Sequence, residues 1–191
     1  MMNTKLDSIA RIATESDIDG ILDLQAQNLY ANLSADELAD GFVTTPFTRE
    51  LIRSLIAQEG AFVAESQDIV GYLFAGGWEF YSQWEIFRLM VSGLPELSFQ
   101  GEKIIVDRSF QYGPVCVDRS VRGSGILSKL FTTMQSSFAP KLPIGITFIN
   151  KLNHRSLAAH HRKLNFEIID EFEFNSGHFH TLAFSTDGGI L

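Results

Sequence analysis

"VDRSVRGSGILSKLF", residues 117–131, decides how this chain is read. Val117 closes the alternating stretch "FQYGPVCV" (110–117), which has the pattern of a strand. Gly123 and Gly125 follow, and an apolar periodic segment then runs to Phe138 as a helix. Leu127, Leu130, Phe131, Met134 and Phe138 are its expected buried stripe. A strand turning directly into a helix presents the unpaired amides of the first helical turn, and those amides attract an anion. Glycines at 123 and 125 clear side chains from the approach, and Arg122 places a positive charge beside it.

Two familiar phosphate loops fit this stretch poorly. A Walker A loop requires Gly-Lys-Ser/Thr after a glycine and four residues, which is absent. A dinucleotide fingerprint requires a third small residue and an acidic residue about 20 positions on. Here "GSGILS" is followed by neither. A third alternative is a tight strand-to-helix turn with no ligand at all.

Working outward, "SIARIAT" (8–14) reads as a first strand, and Ser16–Asp19 fits a capping box before Ile18, Ile21, Leu22 and Leu29. Ser34–Glu37 is a second box, opening a short helix that ends near Gly41. Thr48 caps a third helix carrying Leu51, Ile52, Leu55 and Ile56. Residues 61–81 read as two strands around a polar turn at Ser66–Asp68. A long connection follows (82–108), of the length that often forms a lid or binding loop. "IGITFIN" (144–150) is a strand, "NHRSLAAHHRKL" (153–164) a helix capped by Asn153, and 166–174 and 178–185 are two closing strands around "NSG". With no repeat or linker, residues 1–191 read as one α/β domain: a mixed sheet with helices on its faces.

Composition narrows the function classes. A net charge of −8 with 23 acidic against 15 basic residues argues against a nucleic-acid binder, which presents a basic face. One cysteine, Cys116, excludes an intrachain disulfide and a four-cysteine zinc site. The N-terminal "MMNTKLDSIARIATES" has no apolar signal core, and no stretch reaches membrane-spanning length. The expected location is the cytoplasm, with no membrane partner.

Two stretches together resemble a known family. "VCVDRSVRGSGIL" is similar to motif A of the GCN5-related N-acetyltransferases, the acetyl-CoA-dependent superfamily, with Leu127 at its last small position. "NHRSLAAHHRKLNF" resembles motif B. Asn153 and Ser156 match its start, Leu164 and Phe166 its end, and Asn165 stands for its glycine. Asparagine tolerates the left-handed conformation needed there. The second match is one residue too long. Counting from Asn153 puts His160 at the family's Tyr/His position, and counting back from Phe166 puts His161 there.

The resemblance implies a single domain with a mostly antiparallel sheet, splayed in the middle between the "PVCV" and "ITFIN" strands, with helices on both faces. It implies acetyl-CoA as cosubstrate, its pantetheine arm bonding the backbone of Val115 and Val117 as an added strand would. The diphosphate would lie on Arg122, Gly123, Ser124, Gly125, Ile126 and Leu127, with Asn153 also at the coenzyme. A strand N–H near Val117 would hold the oxyanion. A small-molecule or peptide primary amine would attack directly, and His160 or His161 would protonate the departing thiolate. Glu79, Glu85 and Tyr112 are open as proton acceptors.

Three alternatives stay open. The fold could serve as a non-catalytic acyl-CoA sensor. His178 and His180, on one strand face, could join a helix histidine at a metal, although the reading here assigns none. Cys116 could be a nucleophile, but alternation turns it away from Val115 and Val117, as for a core residue. The aromatic run Trp78, Phe80, Tyr81, Trp84 and Phe87 either lines an acceptor pocket or, as favoured here, packs the long connection onto the sheet. Monomer and homodimer are both compatible with the sequence.

Overall fold

A computed structural model describes residues 8–38 and 40–187. The signal-free reading of residues 1–7 lies outside the described part. The chain forms two compact units, residues 1–75 with 113–137, and 76–112 with 138–191.

In the first unit, β1 (Ile9–Ile12) leads through one short turn into α1 (Ile18–Asn28). The capping box lies two residues earlier than the sequence suggested. Asp17 Oδ2 accepts from the Thr14 amide at 2.7 Å and from Thr14 Oγ1 at 3.0 Å. Arg11 decides this by holding both Asp17 oxygens, at 2.7 and 2.8 Å. That fork keeps the Asp17 carboxyl well below the ordinary range, at about 2, although burial opposes it.

The next elements are α2 (Ala35–Leu38), with only the Glu37 half of its expected box, and α3 (Arg49–Ala57), with its expected Thr48 cap. Glu37 accepts from the Ser34 amide and hydroxyl, and Thr48 accepts from the Leu51 amide. Strands β2 (Ala61–Glu65) and β3 (Ile69–Gly76) pair antiparallel, and β2 pairs antiparallel with β1.

The second unit departs from the expected pattern after β3. Residues 78–81 are a helical turn, α4 (Trp78–Tyr81), instead of a continued strand. Gly77 breaks the strand, and Tyr81 then drops into the core, fully buried. α5 (Glu85–Gly93) and a two-rung hairpin, β4 (Ser98–Phe99) with β5 (Glu102–Lys103), complete the long connection.

β6 (Ser109–Val117) crosses from this unit back into the first, leaving extended geometry at Gly113, where φ is 101°. α6 (Ile126–Phe138) buries Ile126, Leu130, Phe131, Met134 and Phe138. Ile126, not Leu127, begins that stripe, because the 3.6-residue period from Leu130 falls on 126 and leaves Leu127 half-buried.

The remaining elements are β7 (Ile144–Asn150), α7 (His154–Ala158), β8 (Glu167–Phe174) and β9 (Gly177–Ser185). The strand order is β1-β2-β3-β6-β7-β9-β8. β6 and β7 run parallel from Ser109–Ile144 to Gln111–Ile146, whereas β7–β9 and β8–β9 are antiparallel. The chain is therefore a mixed, mostly antiparallel seven-stranded sheet with helices, as expected.

The aromatic run packs as favoured from sequence. Phe87 on α5 lies 5.1 Å from Phe148 on β7, and Phe148 meets Phe179 and Phe172 at 5.4 and 5.9 Å. Tyr81 joins the cluster at 4.9 Å from Phe87. Aromatic rings bury large areas in edge-to-face and offset contacts, so this cluster anchors the long connection.

Candidate functional site

The glycine turn is built from β6 outward. Asp118 caps a short helical turn by accepting from the Ser120 amide at 2.8 Å. Gly123 and Gly125 then take φ of 84° and 93°, a left-handed conformation that favours glycine. A Cβ at either position would meet nothing within 4 Å. The space beside both residues is open, and residues 123–125 are exposed. The first intrahelical bond of α6 runs from the Lys129 amide to the Gly125 carbonyl at 3.1 Å. Helix geometry therefore leaves the amides of Gly125, Ile126, Leu127 and Ser128 without intrahelical acceptors. Their N–H dipoles, at the head of a 13-residue helix, give that corner positive potential.

Two expected donors are engaged elsewhere. The amides of Arg122 and Ser124 donate to the carbonyls of Arg119 and Val121, at 3.5 and 3.3 Å. The Arg122 guanidinium also faces the protein. Nε donates to the Val117 carbonyl at 2.8 Å, Nη2 to Asn28 Oδ1 at 2.9 Å, and Nη1 to the Asp40 carbonyl. Arg122 thus ties the end of β6 to the end of α1 and to the turn after α2. Arg119 donates to Glu37 Oε1 at 3.2 Å. Val115 and Val117 are half-buried, and Cys116 between them is buried, in the alternation expected of β6. Burial pushes the Cys116 thiol up to about 12, which leaves it inert as a nucleophile near neutrality.

In the second unit, Asn153 caps α7, its Oδ1 accepting from the Ser156 amide at 3.1 Å. The helix then widens into a π-helical turn over Ala159–Lys163. A π turn holds one residue more than an α turn, and the second stretch is one residue longer than the motif it resembles. The segment closes with the Phe166 amide on the His160 carbonyl at 3.1 Å, and Asn165 takes the left-handed φ of 57° expected of it.

The two adjacent histidines have opposite environments. His160 is buried, 3% exposed. Its Nδ1 lies 2.8 Å from the Ser156 carbonyl, and its Nε2 lies 3.1 Å from the Tyr112 hydroxyl. A carbonyl can only accept, so Nδ1 carries the proton and Nε2 accepts from Tyr112. Burial pushes the His160 pKa down to about 4 and raises that of Tyr112. Both are neutral near pH 7. His161 is exposed, with Nδ1 donating to the Phe166 carbonyl at 2.7 Å.

Glu79 and Glu85 are exposed on α4 and at the start of α5. His178 and His180 pair across the hairpin with Glu173 and Glu171, at 3.1 and 3.0 Å. Among the described residues no group of three or more His, Cys, Asp or Glu is placed to hold a metal. Nor does any described helix have the length and apolarity to cross a membrane.

Solved structures resemble this chain over nearly its whole length. One is yncA of Salmonella typhimurium with its cofactor acetyl-CoA, at a TM-score of 0.62 and 14% identity, covering 96% of each chain. Another is the Drosophila melanogaster polyamine N-acetyltransferase, at 0.64 and 14%, covering 94% of this chain and 100% of that one. A third is the ribosomal-protein-alanine N-acetyltransferase of Brucella melitensis, at 0.58 and 20%, covering 93% and 99%. The fold is that of the GCN5-related N-acetyltransferases. No family sequence model matches the chain, and no curated protein sequence matches it. The N-acetyltransferase likeness therefore lies in the path of the backbone. At 14–20% identity, side-chain roles rest on the geometry described above.

Proposed function

We propose that this chain is a single-domain N-acetyltransferase that moves an acetyl group from acetyl-CoA to a primary amine, on a small molecule or a peptide terminus. Transfer is by direct attack in a ternary complex, and the expected compartment remains the cytoplasm. The observation that carries the reading is the open turn. Gly123 and Gly125 hold left-handed φ with empty space where a Cβ would stand, at the head of α6. A diphosphate fits such a corner, because backbone amides can reach it and no side chain intervenes.

Bound there, acetyl-CoA supplies an activated acetyl thioester. The amides of Gly125, Ile126, Leu127 and Ser128 hold the diphosphate. The backbone of Val115 and Val117 bonds the pantetheine arm and supplies the N–H for the oxyanion, beyond Gly113, where β6 leaves extended geometry. Arg122 acts by fixing the turn. Asn153 acts by fixing the start of α7.

We place His160 at the family's Tyr/His position, in register with Asn153, with the surplus residue absorbed by the π turn behind it. Burial keeps His160 neutral and Tyr112 protonated, and the phenol O–H is given to His160 Nε2, so the pair acts by positioning and the departing thiolate takes its proton from the ammonium formed on attack. His161, turned to the Phe166 carbonyl, is dispensable in this scheme.

Calorimetry with CoA and thiol release over an amine panel test the reading. The expected result is CoA binding and thiol release with at least one amine. Gly125→Val should abolish binding, with denaturation measured in parallel because a β-branched residue at φ of 93° is itself strained. CoA binding without thiol release would indicate a sensor, and unchanged affinity in the valine variant would remove the turn from the site. His160→Phe and Tyr112→Phe should lower kcat and leave the KM for acetyl-CoA unchanged, while His161→Phe changes neither.

A further inference from the structure

Gln111 lies on β6 at the last recorded rung of its ladder with β7, opposite Ile146. It is 2% exposed. Its Nε2 donates to the Tyr112 carbonyl at 2.7 Å, which fixes the orientation of the side-chain amide. Its Oε1 is buried with no hydrogen-bond partner. A buried carbonyl oxygen left unpaired costs about 1–3 kcal/mol, so a chain that keeps one calls for a reason. Ser109, two residues earlier, shares this strand face. Its hydroxyl accepts from Trp78 Nε1 at 3.0 Å and donates to the Val106 carbonyl at 2.9 Å, so its own bonding is complete. Phe148, two residues beyond Ile146 on β7, extends the face into the aromatic cluster under α5. The orphan is therefore an acceptor on the face of β6 opposite Tyr112, a face whose neighbours on β7, Ile146 and Phe148, are apolar.

We infer that Gln111 Oε1 binds an N–H of the acceptor amine, and that the acceptor carries this amine on an apolar or aromatic body. The inference rests on the acetyltransferase reading and deepens it. A neutral amide oxygen can receive an N–H but cannot remove a proton at neutral pH, so Gln111 orients the amine and the proton leaves by another route. Apolar surroundings favour a hydrocarbon body over a polycation, whose remaining charges would stay unpaired. In the free chain the oxygen is covered.

The test is Gln111→Met, which keeps the shape and removes the acceptor. Its kcat/KM for apolar-bodied primary amines should fall about tenfold, the worth of one lost hydrogen bond. Affinity for CoA should be unchanged, and the melting temperature unchanged or raised, since an unpaired polar group has been removed. Unchanged kcat/KM overturns the inference. A lower melting temperature with unchanged kinetics would mean that a buried water completes Gln111 structurally.

A second measurement needs no variant. With CoA present, a primary amine should compete at least tenfold better than its N,N,N-trimethyl counterpart on the same body, because the latter has no N–H. Equal competition overturns the inference. CoA binding and wild-type thiol release report separately on the acetyltransferase reading, so failure of one is not mistaken for failure of the other.

Discussion

Tyr112 and His160 face each other across 3.1 Å in the second unit, phenol to Nε2, although 48 residues separate them in the chain. The His160 Nδ1–H is committed to its own helix through the Ser156 carbonyl. Phe166 lies 5.3 Å from both rings, and Phe184 stacks on Phe166 at 4.3 Å, so the pair sits in an aromatic cage. The cage explains the neutrality of the imidazole: little solvent and no carboxylate partner stabilise a charge there.

This pair predicts a pH dependence of stability. The folded-state pKa of His160, about 4, lies below its ordinary 6.5, so the unfolded chain takes up the proton first as pH falls. The contribution is complete above pH 6.5 and is lost as pH falls toward 4, amounting to about 3 kcal/mol. Urea midpoints measured across that range should show the loss. His160→Phe should flatten the slope while costing about 1–3 kcal/mol at neutral pH, because the buried Tyr112 hydroxyl loses its bond to Nε2.

Arg122 is predicted to matter before any ligand binds. Lysine cannot span the Val117 carbonyl, Asn28 and the Asp40 carbonyl together, so Arg122→Lys should cost about 2 kcal/mol in the ligand-free chain. Asn28→Ala should then cost less in the lysine background than in the wild type. An arginine serving only a phosphate would show no stability effect in the absence of ligand.

Gly145 has no room for a methyl group. A Cβ there would lie 2.1 Å from the Phe184 ring, which Phe110, Tyr112 and Phe166 hold in place. Gly145→Ala should destabilise by about 3 kcal/mol. Phe184→Leu in the same chain should recover part of that loss, as measured by chemical denaturation.

Cys116 should be silent. With the thiol pKa at about 12, roughly one molecule in 10⁴ carries a thiolate at pH 8. Iodoacetamide should label the chain only in denaturant, and Cys116→Ala should retain full turnover. Loss of turnover of the folded chain on treatment with the reagent, with labelling at Cys116, would restore a covalent mechanism.

What could be read in advance follows the range of the interactions. The glycine turn, the caps at Ser34, Thr48 and Asn153, and the left-handed Asn165 all depend on residues within a few positions, and each stands where its residue type is needed. The misreadings have local competitors. Arg11 drew the first capping box back to Thr14–Asp17, and Gly77 ended β3 before an aromatic run that otherwise alternates like a strand. The surplus residue of the second motif was visible as a count. The π turn at Ala159–Lys163 was not, because a widened turn carries no residue signature of its own.

By itself, the amino-acid order determined the strand-turn-helix unit at 110–138, the capped helices and the fold class, since backbone preference and hydrophobic period act over neighbouring residues. Only the tertiary structure decided that Arg122 reaches Asn28, 94 positions away, that His160 meets Tyr112, and that Gln111 keeps a buried oxygen without a hydrogen-bond partner. Those outcomes depend on which distant side chains arrive at hydrogen-bonding distance once the sheet has assembled, and no periodicity along the chain encodes that distance.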